Sequence, residues 1–88
     1  MLLGNSPNPF RSSTALRFEL PAAGPYELDV FDVAGKRVSH FRGVGQPGAN
    51  IVPWNGRDEQ GRDTKAGVYY YRLTAGSSTA SRKVVRLQ

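Results

Sequence analysis

The sequence predicts an all-β chain folded as a two-sheet antiparallel sandwich, on three observations. Apolar and polar residues alternate over short stretches, the period of a strand with one buried face. Ten glycines and six prolines punctuate those stretches at regular spacing. Nowhere does an apolar period of 3.6 residues run for three turns, so no amphipathic helix competes with the strands.

Residues 1–13 are expected to be a linker end and a first docking segment, with residues 14–88 forming a single sandwich domain. Pro7 and Pro9 restrict their own backbone and that of Ser6 and Asn8, which rules out a helix or an inner strand there. Phe10 is the residue that docks this segment. From Thr14 to Leu20, Leu16, Phe18 and Leu20 alternate with Ala15, Arg17 and Glu19, and Pro21 to Pro25 turns the chain. Tyr26 to Val33 places Tyr26, Leu28 and Val30 on one face and Glu27, Asp29 and Phe31 on the other. Asp32 to Lys36 is a tight turn, in which Asp32 accepts hydrogen bonds and Gly35 is free to adopt a positive φ.

Val38 and Phe41 are three residues apart, so burying both requires a bulge or an edge position. Gly43 to Gly48 reads as a loop. Asn50 to Trp54 follows with Val52 and Trp54 inward, and Pro53 implies a position whose amide needs no ladder bond. Trp54 opens a loop rich in Asn, Asp and Gly, containing Gly56, Asp58, Gly61 and Gly67, which runs into the tyrosine triplet. Tyr69, Tyr71 and Leu73 share a face free of charge and are assigned to the core. Gly76 to Ser78 turns the chain into a last strand, where Val85 and Leu87 are expected inward in preference to Val84.

Composition narrows the possible functions. A chain of 88 residues buries only about 60 to 65% of the surface its unfolded form exposes, so the core is small. With no cysteine there is neither a disulfide framework nor a thiolate metal site. No apolar run approaches the length of a membrane span or a signal-peptide core, since Met1-Leu2-Leu3 stops at Gly4. If the protein is exported, the chain is therefore part of something longer. Twelve Lys and Arg against seven Asp and Glu give a net charge of +5. These cations are spread from Arg11 to Arg86, the pattern of a solvated basic surface, and nucleic acid is not expected as a partner.

No catalytic constellation is visible, and no cofactor is expected. His40 is the single histidine, which excludes a histidine metal pair or a Ser-His system within the chain. Glu19, Glu27, Asp29 and Asp32 would need opposed cleft walls to act as a glycosidase pair, and a sandwich this small has little room for them. A Lys-to-Asn isopeptide crosslink is conceivable from composition alone. Asn55, Asp58 and Asp63 put several oxygens in one loop, as calcium would require. Their spacing is not that of an EF-hand, and Asx turns on backbone amides are the preferred reading. Trp54 with the three tyrosines raises a carbohydrate platform, but alternation leaves only Tyr70 outward, whereas stacking needs several exposed rings.

The ordered set Pro7-Asn8-Pro9-Phe10, Phe31-Asp32-Val33-Ala34-Gly35-Lys36-Arg37-Val38, Trp54-Asn55-Gly56-Arg57-Asp58 through Gly61, Ala66-Gly67-Val68-Tyr69 and Arg82-Lys83-Val84-Val85 resembles one family. It is that of the immunoglobulin-like C-terminal modules of bacterial exported proteins: type IX secretion sorting domains and the related domain of the flagellar hook-capping protein. The resemblance covers about Asn5 to Leu87. It implies an immunoglobulin/fibronectin-III-like sandwich of about seven strands at the end of a larger secreted protein. In sorting domains the module is recognised by the outer-membrane secretion machinery and is often cleaved off while the passenger is attached to the surface.

Carried over, the resemblance makes Arg82, Lys83, Val84, Val85 and Arg86 the recognition tail. It also implies secretion or surface-attachment machinery as partner, an N-terminal passenger, and a secreted or cell-surface location; the chain itself is expected to be a monomer. Hook-capping proteins share the motifs, so a structural spacer or subunit-contact domain is the alternative within the fold. The chain departs from the family at Asp63-Thr64-Lys65, where an apolar residue with proline or alanine is usual, and a looser loop is expected there.

Overall fold

A computed structural model describes residues 2–88, which form seven strands: β1 (Leu2–Ser6), β2 (Thr14–Leu20), β3 (Gly24–Asp32), β4 (Arg37–Gly45), β5 (Gly48–Trp54), β6 (Gly67–Ala75) and β7 (Ser78–Arg86). They make two antiparallel sheets, a three-stranded one in the order β1-β2-β5 and a four-stranded one in the order β4-β3-β6-β7. This is the antiparallel sandwich that alternation and turn chemistry predict, with the seven strands that the resemblance implies.

The core lies between the sheets. Leu16, Phe18, Leu20, Val52 and Trp54 face Leu28, Val30, Tyr69, Tyr71, Leu73 and Val84, and all are buried. Each such side chain contributes about 1.5 to 3 kcal/mol by leaving water. Trp54 is the hinge pin of one end, its ring centroid 5.4 Å from that of Phe10 and 5.7 Å from that of Tyr69. Pro53 sits on β5, the edge strand of its sheet, where a missing amide costs no ladder bond.

Three expectations are corrected. Leu2–Ser6, read as part of a linker end, is an edge strand paired to β2 from Leu2↔Phe18 to Ser6↔Ala15; Met1 lies outside the described residues. The loop expected from Gly43 to Gly48 shrinks to Gln46 and Pro47, because β4 runs to Gly45 and β5 starts at Gly48. Asn50 closes that turn, accepting from the Gln46 amide at 3.0 Å and donating to the Gln46 carbonyl at 2.9 Å. Finally, Val84 is fully buried while Leu87 is 38% exposed. Pairing with Tyr69, itself inward, decides which of the two adjacent valines faces the core.

The irregular spacing of Val38 and Phe41 is resolved by a bulge. Val30 pairs with Ser39 but Phe31 pairs with Arg37, leaving Val38 as the extra residue. Both Val38 and Phe41 are thereby partly buried against the core.

Two buried tyrosines have opposite hydrogen-bonding fates. The Tyr69 hydroxyl donates to the Lys65 carbonyl at 2.6 Å, four residues upstream, the tyrosine-corner arrangement of immunoglobulin-like sandwiches. The Tyr71 hydroxyl is buried without a partner among the described residues, and burial pushes its pKa above the usual tyrosine value. A buried hydroxyl with no partner costs free energy that its removal returns. Tyr71→Phe is therefore expected to leave stability unchanged or raise it by about 1 kcal/mol, and Tyr69→Phe to lower it by about 1 kcal/mol. Urea unfolding of the two variants checks this, and a clear loss in Tyr71→Phe would refute it.

Candidate partner-binding surface

The recognition tail predicted from sequence is built into the fold on both sides. Along β7, Ala80, Arg82 and Val84 pair with the inward residues Leu73, Tyr71 and Tyr69, while Lys83 and Val85 pair with the outward Tyr70 and Val68. On its other side β7 is covered by residues 8–11. The Phe10 amide donates to the Val85 carbonyl at 3.0 Å, the Leu87 amide to the Phe10 carbonyl at 2.7 Å, and the Val85 amide to Asn8 Oδ1 at 3.0 Å. Phe10 docks as expected, 1% exposed.

Arg86 turns inward across this seam. Its guanidinium donates to the carbonyls of Gly56 and Thr64, to Thr64 Oγ1 at 3.0 Å and, through Nε, to the Arg11 carbonyl at 3.2 Å. It also lies 5.9 Å from the Phe10 ring centre and 3.6 Å from Asp63. Of the five tail residues, then, Arg82 and Lys83 are exposed, Val85 is partly so, and Val84 and Arg86 hold the fold. Gly56 makes room for this arrangement: its φ is +73°, and a Cβ there would meet Arg86 at 2.7 Å.

The loop between β5 and β6 is a chain of Asx turns. Asn55 Oδ1 accepts from the Arg57 amide at 3.0 Å, and Asp58 Oδ1 accepts from the amides of Gln60 at 2.9 Å and Arg62 at 3.0 Å. The Arg62 amide, together with the Gln60 amide and the Arg62 guanidinium, holds the Asp58 carboxyl below the usual range despite some desolvation. Gly61 (φ +80°) closes the turn, its amide donating to the Asp58 carbonyl at 3.0 Å. Trp54 Nε1 donates to the Arg57 carbonyl at 3.0 Å, tying the loop to the core. Asp63 pairs with Arg57 and Arg86. Thus two of the three calcium-candidate residues spend an oxygen on backbone amides, and the described residues contain no group of three or more acids or histidines placed to hold a metal.

The looser loop expected at Asp63-Thr64-Lys65 is not found. Thr64 is stitched to Gly56 by its amide at 2.9 Å and its hydroxyl at 2.7 Å, polar bonds that hold the loop closed. At the same end of the sandwich, Asp32 Oδ1 accepts from the Ala34 amide at 3.0 Å and the Lys36 amide at 2.9 Å, with Gly35 at φ +84°.

A polar cluster that sequence reasoning passed over occupies the outer face of the four-stranded sheet. Asp29, only 8% exposed, lies 2.5 Å from His40 Nδ1, 3.7 Å from Arg37 and 4.0 Å from Arg72. His40 Nε2 is in turn 3.8 Å from Glu27. Arg72 also lies over the Phe31 ring, 4.8 Å from its centre, and Tyr70 stands exposed beside them. The outward direction of Glu27, Asp29 and Phe31 was legible from alternation. The arrival of Arg37 and His40 opposite them was not, because the bulge at Val38 shifts the register by one.

No protein-family model and no curated protein matches the chain. Solved structures do. Dimeric latent PorU from Porphyromonas gingivalis superposes with a TM-score of 0.82 at 17% identity, over 98% of this chain and 9% of that one. PorZ, an essential bacterial surface component of the type IX secretion system of the same organism, gives 0.68 at 18% identity, over 96% of this chain and 11% of its own. FlgD from Xanthomonas campestris, a hook-capping protein essential for flagellar assembly, gives 0.68 at 20% identity, over 89% of this chain and 58% of its own. At these identities the likeness establishes a shared fold, and this chain spans only a small part of PorU and of PorZ.

Proposed function

We propose that the chain is a non-catalytic module, C-terminal in a larger exported protein, that routes or attaches its passenger at the bacterial cell surface. The observation that carries this reading is the match over 98% of the chain to only 9% of PorU, and over 96% to only 11% of PorZ: the same fold recurs as a small part of two much larger proteins, one of them an essential surface component of a type IX secretion system. The geometry suits such a role. β1 starts beside Phe18, and Gln88 ends beside Arg11, at opposite ends of a body 37 Å long. A passenger ahead of β1 is thus held away from whatever engages the C-terminal end.

The test is a reporter fused ahead of Met1 in a bacterium with a type IX secretion system. Surface delivery is expected for the native chain and a several-fold loss for Arg82→Glu with Lys83→Glu, the accessible part of the tail, in a chain that still folds. A reporter that stays inside the cell with the native, folded module would sink the proposal. The alternative, a spacer or subunit-contact domain, is supported by the match to over half of FlgD and predicts that the module matters for assembly rather than for delivery. A carbohydrate platform is not favoured, since Arg72 covers the Phe31 ring and leaves Tyr70 without a second free ring.

A further inference from the structure

We infer that the outer face of the four-stranded sheet is a docking surface for an extended acidic segment of a partner protein. This goes beyond the reading above and applies to a sorting module and to a spacer alike. The register lays Arg37, Phe31, Tyr70 and Lys83 side by side across β4, β3, β6 and β7, with His40, Asp29, Arg72 and Ser81 in the adjacent row. With neighbouring strands about 4.8 Å apart, the first row is about 14 Å wide, enough for several residues of an extended peptide.

Charge gives the sign of the occupant. Arg37, Arg42, Arg72 and Lys83 stand on this face against Glu27, Asp29 and Glu59, the last accepting from Arg37 at 3.2 and 3.3 Å. Arg37 is engaged by Asp29 and Glu59 and Arg72 by Asp29, so the cations left for a partner's carboxylates are Arg42 and Lys83. Among the described residues, neither Arg42 nor Lys83 has a carboxylate at ion-pair distance, so both are open to one from a partner.

The neutral part of the face points to protein. Tyr70, 44% exposed, sits between Phe31 and Lys83, and Tyr and Arg are the residues that most often carry interface energy. Arg72 is held in place by Phe31 and Asp29, which lowers the ordering cost of docking on this face. A single free ring offers no stack for successive bases, which sets a protein segment ahead of a nucleic acid.

The experiment titrates the isotopically labelled 88-residue chain with a deca-glutamate peptide at low salt, following amide shifts, with an oligothymidylate as the competing polyanion. Shifts confined to β3, β4, β6 and β7 are expected. Lys83→Glu and Tyr70→Ala should each weaken binding at least about fivefold, whereas Arg17→Glu, with the same charge change as Lys83→Glu but on the other sheet, leaves it within about twofold. The inference is overturned if the shifts spread to Arg11, Arg17 and the β5–β6 loop, if Arg17→Glu weakens binding as much as Lys83→Glu, or if the oligothymidylate binds more tightly. Because the readout is binding by the isolated chain, failure here is separable from failure of surface delivery.

Discussion

Replacing Arg86 with alanine is expected to lower the unfolding free energy by about 3 kcal/mol, which for a domain of this size moves the melting temperature down by roughly 15 °C. One guanidinium joins the last strand to the Gly56 and Thr64 carbonyls of the central loop and to the Arg11 carbonyl of the crossing segment. Its side chain is only 12% exposed, so the truncation removes charge-assisted hydrogen bonds from a nearly dry site and uncovers the Phe10 ring. Lysine keeps the charge but not the fork, so Arg86→Lys should recover only part of the loss. Thermal unfolding followed by tryptophan fluorescence reads the effect at Trp54, next to the damage. A change of less than about 1 kcal/mol in Arg86→Ala would mean that Arg86 is a surface residue after all.

Deleting Lys83 to Gln88 has a larger consequence: no cooperative unfolding transition should remain. The deletion removes Val84 from the core, the pairing of β7 with Gly67 to Tyr70, the Arg86 network, and the bonds that anchor Phe10. Together these exceed the 5 to 15 kcal/mol by which domains are typically stable. Calorimetry that found a native-like transition in the truncated chain would overturn the assignment of β7 as structural. The expectation also bears on any delivery assay, since a truncated tail would fail through misfolding. Substitutions at Arg82 and Lys83 separate recognition from stability, whereas truncation does not.

Much of this architecture was legible because single apolar residues stand between polar ones. Leu16, Phe18 and Leu20 allow one choice of inward face, Val52 is chosen over its apolar neighbour Ile51 by sharing a face with Trp54, and Tyr69, Tyr71 and Leu73 are separated from their alternatives by Arg72. The last strand offers no such choice: Val84 and Val85 are adjacent and equally apolar, and only pairing with Tyr69 selects between them. β1 was illegible for a different reason. Leu-Leu-Gly-Asn-Ser has no alternation, and its strand conformation comes from hydrogen bonding to β2.

The cluster around Asp29 needs a third kind of information, the register between strands distant in sequence. Alternation says which way a side chain points but not what it meets. Arg86 was placed in a recognition tail by its neighbours in sequence, whereas its neighbours in space are carbonyls 22 and 30 residues away.

The contact between Phe10 and the last strand also has a mechanical consequence. The two segments run parallel, and their hydrogen bonds lie across the line joining the two ends of the domain. Tension applied between a cargo ahead of β1 and an attachment beyond Gln88 therefore loads these bonds in shear, so that they resist together instead of opening one at a time as in a peeled hairpin. Phe10 and Arg86, which brace the same seam, set how that resistance is shared. A unit joined this way carries tension along its length while its sheets stay closed.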